Sequence, residues 1–242
     1  MATLTEPENN RPAPGRPAAR RRPAQDRSAL GAAWYGFVRY STATLLAATG
    51  GLRASGTMNL PRKGGVLLIC NHLSHLDVFV LGLPMPRMLN YVARSTLFVP
   101  ILGFLIRSVG GFPIQREGKG TSGVKETLRR LRDGGVVTFF PEGTRSPNGE
   151  LGPLKPGIAA LAERARVPIL PAGIAGTFEA WPRHRSVPRP HPIWVHFGRP
   201  IAPEDIAGAA PEVILALMRD RLLEAQDEAR RALARLSGSS AS

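Results

Sequence analysis

A chain of 242 residues can build one sizeable α/β core with extra segments at both ends, and its single cysteine, Cys70, excludes an intrachain disulfide framework and points to a reducing compartment. The formal charge of +14 is unevenly placed: residues 1–28 hold six basic and three acidic side chains, residues 29–202 hold 21 and eight, and residues 203–242 hold five and seven. The excess therefore sits on the middle of the chain and calls for an anionic partner. Nucleic acid is excluded from that role: there is no zinc-ligand spacing and no RNA-binding sheet signature, and the sparse aromatics are not interleaved with the charges.

In chain order, residues 1–28 are largely Pro, Ala, Arg and Asn, cannot bury enough surface to offset chain entropy, and are expected to be disordered. No cleavable signal peptide is expected, because the Arg run at 20–22 leads into polar residues and then into an apolar stretch too long and too broken. Residues 29–52 read as an amphipathic, membrane-associating helix. Trp34, Phe37, Val38, Ser41 and Leu45 recur at helical spacing, while Arg39 in the middle would cost about 2.5–3.5 kcal/mol at a bilayer centre. Such a helix lies on a membrane or dips into one leaflet; packing against the domain is the alternative.

Strand and helix signals then alternate. Strands are expected at 52–58, 65–70, 88–93, 112–115, 136–140, 167–174 and 193–197. Helices are expected at 77–83, from a Thr121 or Ser122 cap to Gly134, at 157–166 and at 211–236, with a loose end at 237–242. The apolar run at 97–106 is too short to span a bilayer and reads as a buried helix or the floor of an acyl-chain groove. This alternation implies an α/β fold: one catalytic domain at 53–202 with a central mixed, largely parallel sheet flanked by helices. It is preceded by the N-terminal membrane-associating helical segment and followed by a C-terminal amphipathic helix and tail at 203–242.

Three polar clusters fall at predicted strand ends, where such folds place their sites. The first is Asn71-His72-Leu73-Ser74-His75-Leu76-Asp77. Ser74 three residues before Asp77 is a helix-start signature, with Ser74 as N-cap and Asp77 at the third helical position. His72 then stands at a strand-to-helix corner beside a fixed carboxylate, which can hold the proton on one ring nitrogen and leave the other as a base. His75, only one residue from Asp77 in the intervening sequence, reads as structural or a secondary contact. The second cluster, 110–116, ends in Arg116, whose planar fork suits phosphate. The third is Phe140-Pro141-Glu142-Gly143-Thr144-Arg145-Ser146, where Gly143 allows close backbone approach and Arg145 supplies charge. Read singly, Arg116 could pair with Glu117, and the third cluster could be a plain turn. Cys70 closes an apolar strand and reads as a small core residue. No metal is expected, because the His and carboxylates lack ligand spacing.

Together these stretches resemble the glycerolipid acyltransferase family, typified by 1-acyl-glycerol-3-phosphate acyltransferases. Residues 71–77 look like its N-H-x-S-x-x-D block, 111–116 like its second block ending in Arg, 140–146 match F-P-E-G-T-R-S, and 167–171 resemble V-P-I-x-P. Residues 94–96, Arg-Ser-Thr, depart from the Lys and Glu that many members carry there. The resemblance implies transfer of a fatty acyl group from coenzyme A or acyl carrier protein to the hydroxyl of a lysophosphatidate, giving phosphatidic acid, without a cofactor. It implies His72 and Asp77 as the catalytic pair, with Arg116, Glu142, Gly143, Thr144 and Arg145 as the substrate phosphate-binding set. Asn71, Ser74 and Lys155 are secondary candidates. Another lysophospholipid, glycerol-3-phosphate or a glycolipid head group remains an alternative acceptor, and a hydrolase could use the same dyad. The expected location is peripheral, at the phospholipid surface on the cytoplasmic face of the cell membrane.

Overall fold

The computed structural model describes residues 29–239 apart from 101–102, 104–105, 108–109 and 115–120. The expected disordered tail, Arg116, residues 240–242 and part of the 97–106 run lie outside the described residues. The apolar runs form the strands β1 (Leu52–Ser55), β2 (Val66–Cys70), β3 (Leu89–Arg94), β4 (Phe112–Ile114), β5 (Val136–Phe139), β6 (Ile169–Ala175) and β7 (Ile193–Phe197). They make one sheet in the order β1-β7-β6-β2-β5-β3-β4, parallel at every pair except β6 with β7. A mixed, largely parallel sheet is what the strand–helix alternation implied.

Central strands in such a sheet are covered on both faces, which is why they read as unbroken apolar runs. Val66, Leu68 and Cys70 of β2 enter one apolar cluster and Leu67 and Ile69 the other. The first face is closed by α1 (Ala29–Ala48) and α2 (Asp77–Gly82). Leu46 of α1 is buried in that cluster, and Arg39 donates to the Met85 carbonyl oxygen at 3.2 Å. Trp34, Phe37, Tyr40 and Leu45 stay exposed. The helix thus packs on the domain and still presents apolar side chains outward. Among the described residues no helix is long and apolar enough to cross a membrane.

The second face is closed by α3 (Thr121–Arg132), α4 (Gly157–Ala165) and the terminal α6 (Pro211–Ser239), with the single-turn α5 (Thr177–Ala180) following β6. Ile214, Met218, Leu222, Ala225 and Ala229 recur every three or four residues and are all buried, so α6 lies along β6 and β7 as part of the core layer. Its approach depends on Gly173, where a Cβ would stand 2.2 Å from the Ala225 backbone. The helix continues to Ser239, past the expected stop at 236. The first strand is shorter than expected: β1 ends at Ser55, and Thr57–Asn59 form a 3₁₀ turn after the left-handed Gly56.

Candidate active site

Three adjacent parallel strands, β5, β2 and β6, end at the same edge of the sheet, and each delivers polar residues there. At the end of β2, Asn71 is fully buried and spends its amide on β6: Nδ2 donates to the Ile174 carbonyl oxygen at 3.0 Å, and Oδ1 accepts from the Ile174 N–H at 2.8 Å. This clamp fixes the backbone immediately before His72.

The His72 ring places Nδ1 2.8 Å from Asp77 Oδ2. Asp77 is fully buried, and the same oxygen accepts the Leu73 N–H at 2.6 Å and the Ser74 N–H at 2.8 Å. Thr177, also fully buried, donates its hydroxyl to Oδ1 at 2.7 Å. A carboxylate facing four donors only accepts, so Nδ1 carries the proton and Nε2 is left with its lone pair. The ring lies flat on Phe140, with centroids 4.1 Å apart and planes 19° apart, so its remaining freedom is small. Its side chain keeps 19% of its surface exposed, enough for a substrate to reach.

The helix begins at Asp77 as expected from the 77–83 range, but its cap differs from expectation. Ser74 is not the N-cap, because α2 begins at Asp77, with Leu76 in the cap position. The Asp77 carboxylate turns back and takes the Leu73 and Ser74 N–H groups itself. Ser74 Oγ instead donates to the Trp181 carbonyl oxygen at 2.7 Å and accepts the Leu76 N–H at 3.2 Å, tying the corner to the segment after β6.

At the end of β5 the chain turns through Gly143, whose φ of 72° is the left-handed region that a side chain would strain. Glu142, expected in the phosphate-binding set, has another task. Its Oε1 accepts the His72 N–H at 2.8 Å and its Oε2 accepts the Gly152 N–H at 2.9 Å. Burial raises its pKa, partly opposed by these bonds. A buried anion whose two oxygens both hold backbone N–H groups positions the histidine and would repel a phosphate. Ser146 closes the corner from the other side by donating its N–H to the His72 carbonyl oxygen at 2.7 Å.

Arg145 points the opposite way in charge. Its Nη1 is buried, with no hydrogen-bond partner among the described residues. Burial lowers its pKa, and Arg183 adds to the lowering. A guanidinium donor enclosed and unmatched is placed for an anion. Thr144 is exposed beside it, and Lys155 is exposed at the turn into α4, where its N–H donates to the Pro141 carbonyl oxygen at 2.9 Å. His75 is exposed with its ring 5.4 Å from that of Trp181; burial of its ring, then the Arg145 charge, lower its pKa. Cys70 is fully buried and its thiol is pushed well up by that burial, the state of a packing residue. Among the described residues no three His, Cys, Asp or Glu side chains gather as metal ligands.

The structure thus brings His72, Asp77, Asn71, Ser74, Glu142 and Arg145 together. Thr177 escaped the sequence reading. It lies 100 residues from Asp77, and its only signal is a Gly-Thr pair directly after a buried strand.

A family profile described as Acyltransferase matches residues 51–175, which hold all of these residues but Thr177. A 1-acyl-sn-glycerol-3-phosphate acyltransferase of Bacillus subtilis is 32% identical over 144 residues, covering 59% of this chain and 71% of that protein. A lyso-ornithine lipid O-acyltransferase of Rhizobium meliloti is 35% identical over 180 residues, covering 72% of this chain and 59% of that protein. The crystal structure of a 1-acyl-sn-glycerophosphate acyltransferase from Thermotoga maritima superposes with a TM-score of 0.68 over 80% of this chain and 78% of that one, at 22% identity, a likeness of fold. With the dyad at the end of its central strand and the profile spanning that site, the chain belongs to the acyltransferase family.

Proposed function

We propose that this protein transfers a fatty acyl group from a thioester, on coenzyme A or acyl carrier protein, to the free hydroxyl of 1-acyl-glycerol-3-phosphate, giving phosphatidic acid. One observation carries the acyl-transfer reading: the hydrogen bond between His72 Nδ1 and a buried Asp77 carboxylate that only accepts. It leaves Nε2 as the base. The acceptor hydroxyl gives its proton to Nε2 as its oxygen bonds to the thioester carbonyl carbon. The tetrahedral intermediate then collapses, the C–S bond breaks, and the proton on Nε2 passes to the leaving sulfur. Asp77 favours the transient imidazolium through its charge and orientation. The chemistry needs no enzyme nucleophile and no cofactor beyond the thioester.

The phosphate-bearing acceptor is supported by Arg145 Nη1, buried and unmatched among the described residues, and by the names of the Bacillus subtilis and Thermotoga maritima relatives. A second reading has its own support in the Rhizobium meliloti relative, which is named for a lyso-ornithine lipid acceptor. Purified protein given a fatty acyl thioester and, in separate reactions, lysophosphatidate, lyso-ornithine lipid, monoacylglycerol or no acceptor separates these readings. The proposal expects diacyl product and acceptor-dependent thiol release with lysophosphatidate. Product with lyso-ornithine lipid alone would move the acceptor, and thiol release without any acceptor would make the protein a hydrolase.

The exposed apolar side chains of α1 together with Phe79 on α2 support a peripheral seat on the cytoplasmic face of the membrane, reinforced by the basic excess of residues 29–202. High salt should then only partly release the protein from anionic vesicles. Retention through both high salt and alkaline carbonate would contradict peripheral attachment.

A further inference from the structure

The segment after β6 is stapled to the dyad loop twice. Thr177 donates to Asp77 at its start, and the Trp181 carbonyl oxygen accepts from Ser74 at its end. Beyond the buried Pro182 the chain makes a four-residue turn. The Arg185 N–H donates to the Pro182 carbonyl oxygen at 3.1 Å, and Trp181 Nε1 donates to the Arg185 carbonyl oxygen at 2.9 Å. Arg183 is a central residue of that turn. Its backbone is therefore held from both sides, two residues from a contact with the catalytic loop, and its side chain is exposed.

We infer that Arg183 is a second cation of the acceptor-phosphate site, supplied by the turn after α5 as Arg145 is supplied by the turn after β5. The inference rests on the lysophosphatidate reading above. Arg183, like Arg185 on the same turn, makes no ion pair among the described residues, so its charge is available to a ligand. Ser146 donates its N–H to the His72 carbonyl oxygen and Ser74 donates to the Trp181 carbonyl oxygen, so the turns that carry Arg145 and Arg183 are both fastened to the dyad loop, and the Arg183 charge bears on Arg145. The negative group that also bears on Arg145 is Asp77, and it is already spent on four donors. Two cations carried to one loop repel each other, and an anion bound between them removes that repulsion. A phosphate monoester, with a charge of about −1.5 to −2 near neutral pH, is the lipid group that matches two such forks. Arg183 lies outside the stretches that carry the family resemblance, so it is a place where acceptor preference can be set independently of the chemistry.

The test measures equilibrium binding of short-chain lysophosphatidate, with monoacylglycerol as the phosphate-free probe, to the full chain carrying His72→Ala so that no turnover intervenes. Arg183→Ala should weaken lysophosphatidate about tenfold, the low end for a charge-assisted hydrogen bond. Arg183→Lys should recover part of the loss, monoacylglycerol binding should not change, and Arg185→Ala on the same turn should cost less than about twofold. In the active protein the same loss should appear in KM for the acceptor with kcat held. Unchanged lysophosphatidate binding in Arg183→Ala, in a protein that does acylate lysophosphatidate, overturns this inference alone. An equal loss in Arg185→Ala, or an equal loss of monoacylglycerol, also overturns it, since either describes a diffuse field or a structural change. If the wild type binds lysophosphatidate through Arg183 but does not acylate it, the grip stands and the acceptor assignment falls.

Discussion

His72 at the end of β2 and His196 within β7 each hold Nδ1 2.8 Å from an oxygen, yet only the first partner fixes which ring nitrogen carries the proton. The His72 partner is a carboxylate that accepts from four donors, so Nδ1 carries the proton and Nε2 is free to act. The His196 partner is the Ser55 hydroxyl, which already accepts from Trp194 Nε1 at 3.0 Å. That hydroxyl keeps its own proton and a second lone pair, so it suits either tautomer and does not fix the proton on His196. His196 also lines an open groove against α6 with Arg199, Arg221, Glu224 and Glu228, charges of both signs that solvate one another. The contrast teaches that a histidine beside an oxygen in a cleft is not yet a base. What the partner oxygen has left to give or take decides it.

Reversing that decision at His72 should have the largest effect. Asp77→Asn leaves an amide whose nitrogen faces N–H donors and favours the wrong tautomer. Transfer should fall at least ~100-fold, and thermal unfolding should show a loss of about 1–3 kcal/mol from unmatched buried groups. Thr177→Val removes one donor of four while keeping shape. Steady-state kinetics should show a loss of about tenfold or less in kcat with acceptor KM unchanged, consistent with up to ~1.4 kcal/mol of orientation. Glu142→Gln should fall in the same range, since an amide can accept only one of the two backbone N–H groups. A larger loss in acceptor affinity than in kcat would return Glu142 to the phosphate site.

His196→Gln should change transfer less than about twofold and show itself only in stability. Burial holds the His196 pKa below the ordinary 6.5, with Glu228 opposing. The unfolded chain then takes up a proton more readily than the folded one. The contribution of the neutral ring is complete above pH 6.5 and is lost as pH falls toward the depressed folded value. Melting curves should therefore show the wild type losing ground to His196→Gln on acidification below 6.5, with no such trend above it. A twofold or greater drop in kcat would break the contrast between the two histidines.

The sequence reading reached the dyad because strand end, spacing and carboxylate are local, and it reached the parallel sheet because buried strands and covering helices alternate visibly. It placed the cap wrongly because the Ser74 hydroxyl has a distant partner that local spacing does not show. Ser74 has the usual N-cap spacing, but its hydroxyl donates to the Trp181 carbonyl oxygen, 107 residues away, while it accepts the Leu76 N–H ahead of a helix that begins at Asp77. Thr177 was illegible for a different reason: its role exists only once β6 pairs with β2 and brings residue 177 over residue 77. Glu142 was grouped with its neighbours by motif, and only the fold shows that His72 and Gly152 have claimed both its oxygens. For Arg145 the fold adds that Nη1 is buried and unmatched among the described residues, a matter of burial that the motif alone does not carry.

The central claim is that His72 Nε2 takes the acceptor proton directly, with no acyl-enzyme. Single-turnover transfer of a labelled acyl group from thioester to lysophosphatidate, in wild type and in His72→Ala of matching melting temperature, tests it most directly. The account predicts a fall of ~10²-fold or more in the rate of diacyl product and no labelled protein in either sample. A labelled acyl-protein that forms before product, or a His72→Ala variant that keeps more than a few percent of the wild-type rate, would contradict it.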